Sequence, residues 1–157
     1  MNNDIKKTEA TLKRILDICH DGAVGYEQAA NYMEDKTLKT TFLRLSQQRR
    51  FFIEDLRQDA RDLGIDPDAS GTHAGYFHRL WINIRSAFSS RSLRDIIQES
   101  ERGEENAIET YDEVLKHPEV PLYIKEKLNR QKDLIRQVAI QLSELDNELA
   151  KVEKRNA

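Results

Sequence analysis

The chain has 157 residues, of which 38% are hydrophobic and 34% charged, with a formal charge of −3 from 25 basic and 28 acidic side chains. The two signs alternate along the chain, so neither a basic stripe for nucleic acid nor a single-sign tail is present, and one cysteine, Cys19, excludes an intramolecular disulfide framework. No apolar run approaches the roughly 20 residues that span a bilayer. Met1 to Asp4 opens no apolar leader, so a soluble cytoplasmic protein without a membrane partner is expected. Six glycines and three prolines are too few for a turn-rich sheet protein, and long helices are the natural reading.

The first helix is expected from about Thr8, as N-cap, to Glu34, with an inward stripe of Leu12, Ile15, Cys19, Gly22, Tyr26, Ala29 and Met33. The gaps of three and four residues are the period of a left-handed bundle. A short break at Asp35-Lys36-Thr37 leads into a second helix, which stops near Leu63 with Gly64 as terminator. Its stripe is Leu38, Phe42, Leu45, Arg49, Phe52, Leu56 and Leu63. So short a connection makes the two helices antiparallel neighbours.

Residues 65–91 read as a crossover containing turn chemistry and one shorter helix, about Gly75 to Phe88. Its aromatic face, with His78 and Trp81, is either a lid on the bundle or a surface for a protein partner. Ser92 caps a third helix that Pro118 stops near His117, with the stripe Leu93, Ile97, Ser100, Glu104, Ala107, Tyr111 and Val114. A fourth starts near Pro121 and carries Ile124, Leu128, Gln131, Ile135, Val138, Leu142, Leu145 and Leu149 inward. The polar tail 151–157 is expected to fray. The whole is one domain, 1–157: an all-α, antiparallel four-helix bundle with a short extra helix in the long crossover between helices two and three.

Five stripe positions hold polar side chains where Leu or Ile would be expected: Tyr26, Arg49, Glu104, Tyr111 and Gln131. A buried Arg or Glu without a partner costs several kcal/mol. Counting about 1.5 Å per residue puts Arg49 and Glu104 at the same depth, about 18 Å, if the third helix starts at the end that holds the first connection. Tyr26 falls close to that layer, and Tyr111 with Gln131 forms a second layer at about 27–28 Å. An Arg49–Glu104 ion pair inside the bundle follows. The matching favours up-down-down-up order over simple up-and-down, since the crossover must then run the length of the bundle.

Carboxylate-bridged di-metal bundles take a Glu from each of two helices and Glu-x-x-His from each of the other two. No histidine on a stripe follows a Glu at that spacing. The fallback set for iron or manganese is Glu27, Glu101 and Glu104, and Arg49 in the same layer would repel the dication. Cys19 reads as a small core residue. Gly22, Gly25 and Gly103 lie inside helices at about 1 kcal/mol each relative to Ala, which points to close helix approach or a bend.

Gly25-Tyr26 with Ala29-Ala30, Arg49 through Leu56, Gly75, His78-Arg79 and Trp81, the run Glu101, Gly103-Glu104, Ala107 and Tyr111, and then Gln131 together resemble a bacterial family of ferritin-like four-helix-bundle proteins described only as a domain of unknown function. The resemblance covers most of the chain, from the first helix to the end of the fourth. It implies a ferritin-like fold and the crossover topology, and it implies no proven activity. Ferritin-like relatives often bind two metals. Here the corresponding positions read Gln47-Gln48-Arg49-Arg50 on the second helix and Gln131 through Ala139, without histidine, on the fourth. The expectation is a non-enzymatic structural, stress-type or partner-binding bundle that forms a homo-oligomer such as a dimer and needs no cofactor. The alternative is a metal-binding redox protein with an atypical carboxylate site.

Overall fold

Regular spacing of apolar side chains every three to four residues folds nearly all of the described chain into helix. The computed structural model describes residues 3–68 and 92–157. Four helices follow in order: α1 (Asn3–Asn31), α2 (Lys36–Asp62), α3 (Leu93–Leu115) and α4 (Leu122–Arg155). The described residues contain no strand, so the fold is all-α, as a helical bundle requires. α1 packs against both α2 and α3, and α3 packs against α4. The short helix expected from Gly75 to Phe88, with His78 and Trp81, lies outside the described residues.

The helix ends are set by local chemistry. Thr8 is not an N-cap. It lies a turn inside α1, where its one hydroxyl proton is shared between the Asp4 carbonyl at 2.8 Å and the Glu119 carbonyl at 3.2 Å. Helix-compatible residues from Asn3, with Asp4 at the positive end of the dipole, carry the helix further back than its apolar stripe. At the other end α1 stops at Asn31 rather than Glu34, through tight turns from Tyr32 to the Ala29 carbonyl and from Met33 to the Ala30 carbonyl. Asp35 then caps α2, its carboxylate accepting from the Leu38 amide at 2.9 Å.

Gly64 has a positive φ of 74°. That conformation lets the Gly64 amide reach the Arg61 carbonyl and the Ile65 amide reach the Ala60 carbonyl, at 2.9 and 2.8 Å. The result is a Schellman stop sealed by the buried side chain of Ile65. Ser92 caps α3 by accepting from the Asp95 amide. The tail expected to fray from residue 151 is instead helical to Arg155. Arg94 of α3 explains this, because it holds Asp146 and Glu153 of α4 at 2.9 Å each.

The buried apolar residues form two clusters. One gathers Leu12, Ile15, Cys19, Phe52, Leu56, Ala107, Tyr111, Leu128 and Ile135 with their neighbours. The other gathers Tyr26, Ala29, Phe42, Ile97, Val138 and Leu142. Along α2 the boundary between clusters falls between Phe42 and Phe52, and along α3 between Ile97 and Ala107. Arg49 and Glu104 occupy those two intervals.

Candidate functional site

Arg49 and Glu104 are 2% and 3% exposed, which for charged side chains demands a partner. Each is the other's partner: an Arg49 guanidinium nitrogen donates to Glu104 Oε2 at 2.5 Å. The Tyr26 hydroxyl donates to the second carboxylate oxygen of Glu104. One carboxylate therefore joins α1, α2 and α3. The guanidinium also lies over the rings of Tyr26 and Phe52, 5.8 and 5.7 Å from their centres, where the ring faces favour positive charge. Tyr26 in turn meets Phe42 edge to face at 5.4 Å.

This electrostatic arrangement fixes the protonation states. Burial alone would weaken the charge of Arg49, but Glu104 and Tyr26 hold its pKa above the ordinary value. Burial first, then the charge of Glu104, drives the Tyr26 hydroxyl well above the ordinary phenol range. Tyr26 is thus a permanent donor and Arg49 a permanent cation.

Gly22 makes room for this pair. A Cβ built there would lie 3.3 Å from Cγ of Arg49, so the missing side chain lets the arginine stem pass along α1. Ser46, one turn before Arg49, pins the same contact by donating to the Ala23 carbonyl at 2.6 Å.

The second polar group is uncharged. Tyr111, 0% exposed, donates to the Gln131 side-chain carbonyl at 2.8 Å and lies 3.1 Å from the Cys19 sulfur. Burial pushes the Cys19 thiol up to about 11, which favours the protonated form at neutral pH. The amide nitrogen of Gln131 has no hydrogen-bond partner among the described residues.

The five stripe residues thus meet as two groups: Tyr26 with Arg49 and Glu104, and Tyr111 with Gln131. Cys19, read in the sequence only as a small core residue, belongs to the second group. The three fallback carboxylates do not gather. Glu27 is exposed and bonded to Arg50 at 2.6 Å, Glu101 is half-buried, and Glu104 is occupied by Arg49 and Tyr26. Among the described residues no group of three or more His, Cys, Asp or Glu side chains could hold a metal ion.

Beside the charged layer, between α1 and α3, opens a cleft of about 60 Å³. Gly22, Gly25 and Gly103 form part of its wall, Ile18 and Ile96 give apolar surface, and Asp21, Arg49 and Glu99 are its charged lining besides Glu104. Asp21 is the residue that sequence reasoning missed. Burial, then the charge of neighbouring Asp17, pushes its carboxyl up to about 7. The signal available was only its position beside Gly22.

Among the described residues no helix is long and apolar enough to cross a membrane. No curated protein matches the chain. A sequence family matches residues 7–117, which takes in most of α1, all of α2 and all of α3, and leaves α4 with Gln131 outside. The charged layer lies wholly within that span, and the chain belongs to this family, described as a domain of unknown function (DUF2383).

Proposed function

We propose that the protein is a ferritin-like bundle that carries no di-metal centre and serves as a cytoplasmic structural or partner-binding protein, self-associating as a dimer. The observation that carries this reading is the Arg49–Glu104 pair, 2.5 Å apart and buried. It holds a permanent cation in the bundle interior, and a fixed positive charge there would repel a metal dication. Ferritin-like up-down-down-up order is supported by the pairs along α1 and α3. Thr8 meets Glu119 just beyond α3, Cys19 meets Tyr111, and Tyr26 meets Glu104, so one helix ascends as the other descends. The Arg94–Asp146 and Lys132–Asp112 contacts support the same opposition between α3 and α4. Self-association is supported by large apolar side chains in solvent, Phe51 and Leu122 being 70% and 72% exposed.

Elemental analysis of the purified protein, as isolated and after anaerobic Fe(II) loading and desalting, tests the central claim. No stoichiometric iron or manganese is expected. Stoichiometric metal that Glu104→Gln releases would sink this reading in favour of a redox protein with a carboxylate site. Light scattering checks the dimer, and a strict monomer removes self-association from the proposal.

A further inference from the structure

Three features of the cleft between α1 and α3 serve no packing need. Gly103 is a helix-interior glycine, yet a Cβ built on it would meet none of the described residues within 4 Å. Unlike Gly22, it makes no room for a neighbouring side chain. Its bare backbone faces open space. Asp21 Oδ2 is buried and accepts no hydrogen bond from the described residues. Arg49, buried at the inner wall, has an Nε–H with no acceptor among the described residues, although its Nη2 is bonded to Glu104. An unused acceptor and an unused donor therefore line one small cleft that a glycine keeps open.

The charge of the lining selects the ligand. Glu104 and Arg49 cancel each other. Asp21 and Glu99 remain, with Asp17 close enough to act on Asp21. Glu99 has a cation of its own, since Arg102 reaches it at 2.8 Å. Among the described residues Asp21 has no such counter-charge, and Arg49 is the only Lys or Arg in the lining. An anion would meet repulsion here, whereas a monocation would supply what Asp21 lacks. A volume of about 60 Å³ accepts a few waters or a chain of a few heavy atoms, and excludes a nucleotide or a flavin.

We propose that this cleft is a binding site for a small protonated amino alcohol. Its ammonium group donates to Asp21, its hydroxyl oxygen accepts from Arg49 Nε, and its carbon chain lies against Gly103 between Ile18 and Ile96. The site goes beyond the structural role proposed above and does not depend on it, because metal-free dimer or not, the cleft has the same lining.

The test is an NMR titration of the full-length protein with 2-aminoethanol, following the backbone amides of Gly22, Gly25 and Gly103. Ethylamine, ethanol and sodium chloride serve as controls. Saturable shifts confined to these amides are expected with 2-aminoethanol, weaker binding with ethylamine, and none with ethanol or salt. Asp21→Asn should weaken binding about tenfold or more, the effect of losing one charge-assisted contact. Gly103→Leu should abolish it by filling the space, and Gly103→Ala, which touches nothing, provides a milder variant that keeps the fold.

Equal binding of ethylamine would overturn the role of Arg49. Shifts that ethanol or salt reproduces, no saturation at all, or binding that survives both Asp21→Asn and Gly103→Leu would overturn the site.

Discussion

The two buried polar groups of this bundle differ in charge and in place. The Tyr26–Arg49–Glu104 group is charged and sits at the boundary between the two apolar clusters. The Cys19–Tyr111–Gln131 group is neutral and sits within one cluster, among Ile15, Leu128 and Ile135. A charge in the interior binds its partner far more tightly than a neutral dipole does, but it also costs far more when that partner is lost. The charged group is therefore expected to act as a register lock between three helices. The neutral group adds a modest local contact to a core that apolar packing already holds.

The sharpest way to break that contrast is Glu104→Ala. It leaves Arg49 buried without a counter-charge, and stability should fall by about 3–5 kcal/mol. Replacing both partners, Arg49→Met with Glu104→Leu, should recover most of that loss, since an apolar pair of similar volume needs no compensation. Urea denaturation of both variants reads the difference directly. A loss below about 1 kcal/mol for Glu104→Ala would put the pair in the class of surface bridges and end its role as a lock.

The register of this charged group was legible in the sequence because helix geometry is regular. Counting turns from the helix starts is enough to set Arg49 beside Glu104 and Tyr111 beside Gln131. What could not be read were contacts decided by side-chain reach. Cys19 joins the neutral group only because the Tyr111 hydroxyl ends 3.1 Å from its sulfur. The last turns of α4 persist because Arg94 crosses from α3 to Glu153, a pairing no local pattern encodes. Ser and Thr favour the N-cap, which makes Thr8 a candidate in the sequence, but a helix already begun can use the same hydroxyl to bond its own carbonyl four residues back. Asp21 escaped notice for a different reason. It lies off the apolar stripe, and its burial comes from a cleft that glycines open rather than from packing.

The neutral group predicts a smaller effect. Tyr111→Phe keeps the ring and removes the hydroxyl that serves both Gln131 and Cys19. The Gln131 carbonyl, 3% exposed with its side chain, then loses its donor, and its amide nitrogen has no partner among the described residues. A loss of about 2 kcal/mol is expected in denaturant, the cost of one orphaned buried acceptor. Tyr26→Phe is the matched comparison. A loss for Tyr111→Phe that equals Glu104→Ala would erase the distinction between the groups.

Asp21 gives the smallest effect and the one with a sign that depends on pH. Its carboxyl faces Asp17 on its own helix, with Glu99 and Glu104 across the cleft on α3 and Arg49 on α2. In the native chain it holds its proton up to about 7, whereas the ordinary value is 3.8. Between those limits the native state binds more protons than the unfolded one, so stability falls as pH rises. Below 3.8 both states are protonated and the residue contributes nothing; above about 7 the full penalty of a charged, half-buried carboxylate applies. Asn at this position keeps the shape and never ionises. Asp21→Asn should therefore match the parent protein near pH 3 and exceed its stability by about 1 kcal/mol near pH 8, after allowance for the water that reaches this side chain. Thermal or urea melts at the two pH values decide it. A variant that is less stable at high pH would mean that a cation already compensates Asp21 in solution. Adding 2-aminoethanol to the parent protein should then narrow the same gap, since a bound ammonium supplies that charge to Asp21 and has nothing to pair with in Asp21→Asn.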